Sequence, residues 1–218
     1  MNRRRFLAGS GAVLVAAPAA AAPLPVPPGG QIGFKVLRNG APIGEHHLTF
    51  VQNGDDLAVS INADLDVRML GLSVFTYQIA ATERWSAGSF AGLDSHVNHN
   101  GTKLEVHAHP IPGGFHVDAT KAGSYDYTGT PAMLPLTYWN RAFLGAEILN
   151  VETGHHYPAI VNSPGWYRLP TAEGGMLVAQ RFDVTGKLHL SVWYDQFDQW
   201  SGLEFNVDGD ISFQKIVS

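Results

Sequence analysis

The sequence contains no cysteine. Disulfide staples, thiolate nucleophiles and cysteine-ligated metals are therefore excluded, and the fold must rest on its core or on a bound ligand. No apolar run approaches the roughly 20 residues that a bilayer-spanning helix needs. Basic residues are also scarce, 14 Lys+Arg against 19 Asp+Glu. A chain so charged has no electrostatic footprint for nucleic acid, and partners of that class are excluded. Signature motifs for chemistry are missing too: there is no G-x-S-x-G elbow, no phosphate-binding loop and no H-E-x-x-H zinc helix. No stretch of a dozen residues carries a 3.6-residue apolar period, which argues against a helical domain.

What is present begins with "MNRRRFLAGSGAVLVAAPAAAAPLP". Arg3-Arg4 followed by Phe6-Leu7, a short apolar stretch and then small residues fit a twin-arginine export leader over residues 1–21, cut after Ala21. Its apolar stretch is too short for a membrane anchor, so the mature chain is expected in the periplasm or secreted, without spanning a membrane. Without the three leader arginines the formal charge falls from −5 to about −8, with His neutral. Residues 22–30, "APLPVPPGG", read as a Pro/Gly linker, and residues 31–218 as one domain.

The punctuation of that domain is antiparallel β. Asn39-Gly40, Asn53-Gly54, Asn100-Gly101, Gly113-Gly114 and Asp208-Gly209 separate stretches rich in Val, Ile, Phe, Tyr and Thr. "LAVSINADLDV" (57–67) alternates apolar and polar residues at period two. The pattern predicts twelve strands: 31–38, 43–52, 56–68, 72–84, 89–98, 103–110, 114–121, 155–162, 175–184, 187–195, 199–207 and 210–217. An antiparallel sheet this long must close or curl to hide its edges, so the expected fold is all-β, a single antiparallel barrel or strongly curved half-barrel. Residues 122–154, with "TPAMLPLTYWNRAFLGAEILN", interrupt the rhythm. They predict a long loop with a short helix near 136–144, laid across an opening.

Four histidines surround one turn in "SHVNHNGTKLEVHAHP" (95–110). If Asn100-Gly101 are the central turn residues, His96 pairs with Glu105 and Asp94 with His107, all on one face with His109. Two imidazoles and a carboxylate that close suit a transition metal, giving His96, Glu105 and His107 as candidate ligands. The same composition suits a solvated sheet face, and no established ligand motif is present. The solvated face is the preferred reading and no cofactor is expected, with a metal on this hairpin as the alternative. His99 falls on the apolar side of the register. His46-His47 and His155-His156 are adjacent pairs, each expected to hold one exposed and one partly buried ring.

Aromatic and acidic side chains recur in "ERW" (83–85), "YWN" (138–140) and "WYD" (193–195). Glu83, Trp85, Tyr138, Trp139, Asn140, Trp193 and Asp195 are candidates to line one concavity, where flat rings suit a lipid chain or a sugar face. Tyr138 and Trp139 are the first choices for ligand contact. A carboxylate pair such as Glu83 with Asp195, set 5–10 Å apart, is the arrangement of glycoside hydrolases.

Together with the export leader, "GFKVLRNGAPIGEHHLTF", "ERW", "YWN" and "WYDQFDQWSGLEF" make the mature chain resemble a family of exported bacterial β proteins known as a domain of unknown function. The F-x-V-x-x-x-G-x-x-I-G opening and the W-Y-D run carry most of that resemblance. It implies a curved sheet or barrel outside the cytoplasm and supplies no catalytic residue. Three functions are then expected, in order: a carrier or binding protein for an apolar or lipid-like ligand; a carbohydrate-binding or envelope-scaffold module; and a hydrolase using the carboxylate pair or a His-bound metal.

Overall fold

The computed structural model describes residues 23–69 and 72–217. The leader assigned to 1–21 lies outside the described residues. Sixteen strands follow in order: β1 (Gln31–Arg38), β2 (Ala41–Asn53), β3 (Asp56–Met69), β4 (Leu72–Ser86), β5 (Ser89–His99), β6 (Thr102–Ile111), β7 (Gly114–Ala119) and β8 (Gly123–Tyr127). Then come β9 (Met133–Pro135), a 3₁₀ helix (Arg141–Gly145), β10 (Glu147–Leu149), β11 (His156–Pro158) and β12 (Ile160–Pro170). The last four are β13 (Met176–Thr185), β14 (Leu190–Tyr194), β15 (Trp200–Asn206) and β16 (Asp210–Ile216).

Thirteen strands form one sheet in the order β12-β13-β14-β15-β16-β1-β2-β3-β4-β5-β6-β7-β8. Two meanders, β1–β8 and β12–β16, meet at a single antiparallel ladder between β1 and β16. No ladder joins the outer strands β8 and β12 among the described residues, so the barrel is open. Laid flat, thirteen strands would span about 55–60 Å at ordinary strand spacing. Instead the inward rows of nearly all of them share one core, including Phe34 of β1, Val59 of β3, Val106 of β6 and Val192 of β14. The sheet must therefore curl on itself, as the period-two pattern requires when only one face is apolar.

The concave side is filled by the chain itself. Met133, Leu136, Trp139, Phe143, Ile148, Leu149 and Val151 are all buried in the common core. Residues 128–159, which connect the two outer strands, fold into a small sheet in the order β11-β10-β9 and the 3₁₀ helix. The expected loop across an opening is thus corrected to a plug, because its apolar residues are as dense as those of the strands. The expected helix near 136–144 shortens to Arg141–Gly145, the strand expected over 114–121 ends at Ala119, and β8 falls within the segment expected as a loop.

The early F-x-V-x-x-x-G-x-x-I-G pattern now has a physical meaning. Phe34 and Val36 are wholly buried on the inward row of β1. Gly40 turns the chain with φ +79, and Gly44 sits with φ +150 beside a register shift in the β1–β2 ladder. A Cβ at Gly44 would strike the carbonyl oxygen of Asp64 on β3. Such a residue cannot carry a side chain without moving two strands. Gly44→Ala is expected to cost about 2–3 kcal/mol in urea unfolding; an unchanged midpoint would mean that the bulge relaxes freely.

Candidate functional site

Among the sequence candidates, Glu83, Trp85 and Trp139 come together. Glu83 stands on the inward row of β4, between Val59 and Leu93 on the flanking strands, and is fully buried. Two residues on, Trp85 shares its face and donates its indole N–H to Glu83 Oε2 at 2.8 Å. The plug supplies Trp139, whose N–H reaches the same oxygen at 2.9 Å. The two indoles meet edge-on at 5.4 Å, and Trp139 meets Phe50 in the same way at 5.2 Å. Glu83 Oε1 lies buried without a hydrogen bond of full geometry. Burial pushes the Glu83 carboxyl up to about 7, against the opposing pull of Thr137, Trp139 and Trp85. A buried acid accepting from the sheet on one side and the plug on the other is a clamp between them.

The remaining candidates donate no hydrogen bond to Glu83. Tyr138 has φ +68 and stacks beside Trp200 at 5.4 Å, while its carbonyl accepts from the Tyr194 hydroxyl at 2.6 Å. Expected at an opening, Tyr138 and Trp139 instead sit inside the plug. Asn140 caps the 3₁₀ helix, accepting from the Ala142 N–H at 3.0 Å. Trp193 is on the opposite face of β14 from the core, covered by Arg181, whose guanidinium lies 5.5 Å from its ring. Tyr194, its neighbour, points inward and is wholly buried. Asp195 shapes the β14–β15 turn, accepting from the N–H groups of Phe197 and Gln199 at 2.9 and 3.0 Å. Glu83 and Asp195 therefore do not face each other as a catalytic pair: one is sealed in the core and the other is engaged by a turn.

Sequence reasoning did not single out Trp200, and it foresaw a partly buried member of the His46-His47 pair without its aromatic setting. Trp200 is wholly buried against Phe34 at 4.1 Å. His46 lies on the inward row of β2, between the rings of Trp200 and Phe213 at 5.5 and 5.6 Å. Burial, with a smaller push from His47, drives its pKa down to about 3, so it is held neutral. A histidine inside an otherwise apolar alternation is the signal that was available. His47 is exposed beside Glu45, as expected of the pair. His155 and His156 are both exposed, and His156 is bound to Glu147 at 2.6 Å.

The histidine hairpin has the expected register: His96 pairs with Glu105 and Asp94 with His107. His107 Nδ1 donates to Asp94 at 2.8 Å, and His96 Nδ1 stands 3.4 Å from Glu105. Among the described residues no three His, Cys, Asp or Glu side chains already converge as ligands do. His99, on the other face, meets Glu152 of the plug at 3.1 Å.

Two open clefts border the β12–β16 meander. The smaller, of about 350 Å³, is lined by Arg141, Leu144, Gly145, Val161, Gln180 and Phe182, between the 3₁₀ helix and the β12–β13 hairpin. The larger, of about 680 Å³, has mixed walls, in which Asp183, His189, Ser191 and Glu204 alternate with Leu190, Phe205 and Ile211.

A family model for a domain of unknown function, DUF6134, matches residues 34–215. The chain belongs to the DUF6134 family. No curated protein matches it. Among solved structures, this DUF6134 chain is similar to a beta-barrel-like protein of domain of unknown function DUF1849 from Brucella abortus, with a TM-score of 0.60 and 8% identity. That match covers 85% of this chain and 94% of the other. At such identity the likeness carries the fold alone.

The clamp makes the stability of this DUF6134 protein depend on pH. Folded Glu83 titrates at about 7 against an ordinary 4.5, so the folded state holds its proton more tightly. Its contribution is fully present below about pH 4.5 and is lost as pH rises through about 7, a change on the order of 3 kcal/mol. His46 acts in the opposite sense, since its depressed value makes stability fall as pH drops below 6.5. In urea unfolding from pH 4.5 to 8, E83Q is expected to abolish the decline at neutral pH and leave the acid limb. Parallel profiles for the two proteins would refute the clamp's elevated pKa.

Proposed function

We propose that this is an exported binding protein for an apolar or lipid-like small ligand, held in the open groove beside the plug. The observation that carries this reading is an uncovered extension of the core face. On β13, Val184 and Phe182 pack into or against the core, while Val178 and Met176, further along the same face, are 57% and 54% exposed. Ladder pairing adds Trp166, opposite Gln180 and 54% exposed, and Val161, opposite Val184. An apolar row of this kind beside a 350 Å³ cleft offers area for a chain-like ligand.

Polar recognition would come from Arg141 at the cleft. Its guanidinium lies 5.7 Å from the Phe182 ring and pairs with Asp198 at 2.6 Å, leaving further N–H groups for an acidic head. The plug fills the concave side, so the ligand lies against the sheet's rim rather than in a sealed chamber. Export by the twin-arginine route to the periplasm or beyond is part of the same reading, supported by Arg3-Arg4 and the small residues that precede the domain. The missing signature motifs favour binding over turnover.

The larger cleft favours a second reading, a carbohydrate-binding module. Its walls carry Asp183, Ser191 and Glu204, groups that hydrogen-bond hydroxyls, and exposed Trp166 offers a stacking platform elsewhere on the sheet. Titration with a fluorescent fatty acid tests the first reading. Saturable binding is expected, weakened at least tenfold by either W166A or V178D with the fold intact by circular dichroism. No fatty-acid binding, together with retention on polysaccharide that S191A or E204Q removes, would replace it with the second.

A further inference from the structure

We propose that the outward face of the β5–β6 hairpin is a surface site for a divalent transition-metal ion of the zinc and copper class, assembled by His96, Glu105 and His107 and oriented by Asp94. The site is separate from the groove, on the opposite face of the sheet from the core.

Register places the donors. His96 and Glu105 are directly opposed, Asp94 and His107 form the adjoining same-face pair, and the two imidazole centroids are 5.7 Å apart. Glu105 lies between the rings, with Oε1 3.4 Å from His96 Nδ1 and Oε2 4.0 Å from His107 Nε2. Donors around a tetrahedral ion with bonds near 2.0–2.1 Å are about 3.3–3.4 Å from one another. The first gap already has that value and the second needs only a small closure. His96, Glu105 and His107 are 58%, 58% and 40% exposed, so all three are open to an ion from solvent.

The second observation is the support behind His107. Its Nδ1 donates to Asp94 Oδ1 at 2.8 Å, while Arg84 Nη1 holds the other Asp94 oxygen at 2.5 Å. A metal-bound imidazole characteristically gives its second N–H to a carboxylate, which fixes the tautomer and aims the free nitrogen at the ion. Here Nε2 is the nitrogen left free, and it faces Glu105. The neighbouring His109–His116 pair lacks this arrangement. Both nitrogens of His116 are engaged, by Asp126 at 2.5 Å and by Asp118 at 3.2 Å. Lys103 lies one pair further along and opposes Asn98, not a ligand. Two imidazoles and one carboxylate leave a fourth position for water and suit zinc or copper better than magnesium or calcium.

The test is calorimetric titration of the untagged protein with zinc and, separately, with copper near neutral pH. One ion per chain is expected, released on acidification because ligating imidazoles must be unprotonated. H96A and H107A should each weaken binding at least tenfold, and D94N about 10–100-fold through the orientation of His107. The H109A/H116A double variant should bind as the parent does. Absence of saturable binding at millimolar metal, or binding that survives H96A and H107A, would overturn the proposal. Loss of binding in the H109A/H116A variant alone would also overturn it, by moving the ion to the neighbouring pair.

Discussion

A single carboxylate between two indoles joins the two layers of this protein. The curled sheet has one apolar face and no disulfide, so that face must be covered by something the chain supplies. The connection between the two outer strands supplies it, and Glu83 binds Trp85 from the sheet and Trp139 from the plug through one oxygen. Burying an acid is costly, and the elevated pKa reflects that cost. In return the clamp sets the depth and rotation of the plug, which a purely hydrophobic filling would leave less defined. Tyr194, reaching the Tyr138 carbonyl, repeats the device from the other meander.

Most of the architecture was legible in the sequence, because period-two alternation and Asn-Gly turns are local signals. The β5–β6 register followed from one dipeptide. The plug was not legible, since "TPAMLPLTYWNRAFLGAEILN" has no periodicity to reveal which residues face inward. Alternation also left Trp193 and Tyr194 undecided: one of the two must point inward, and only the ladder with β13 and β15 turns Tyr194 to the common core, while Trp193 is buried on the other face. The single strand expected over 155–162 divides into β11 and β12, and β12 continues to Pro170. Pro164 and Gly165 obscure it, and both belong to a register shift at an outer strand, where a missing N–H costs little. The convergence of Glu83, Trp85 and Trp139 was foreseeable only in part. Two of them are neighbours on one strand, while the third arrives from 54 residues beyond Trp85.

The proposed activities occupy different surfaces for a structural reason. Alternation gives each strand a core face and a solvent face, and the plug covers only part of the core face. What it leaves bare on β12 and β13 is apolar and suits a chain-like ligand. The opposite face of β4–β8 is a lattice of imidazoles, carboxylates and a guanidinium, open to ions and water. Substitution on one face need not disturb the other, so the two proposals can fail or succeed separately.

The seam between β1 and β16 has a consequence for how the molecule is made. The first strand of the domain finds one of its two neighbours only in the last, so the sheet is incomplete until β16 has been made. The two meanders form early from adjacent hairpins, but their union waits on a contact between residues about 180 positions apart, and such distant closures are slow. Until then each meander shows an apolar face and a raw strand edge. Truncation within the final strand would therefore strike the middle of the sheet rather than its margin.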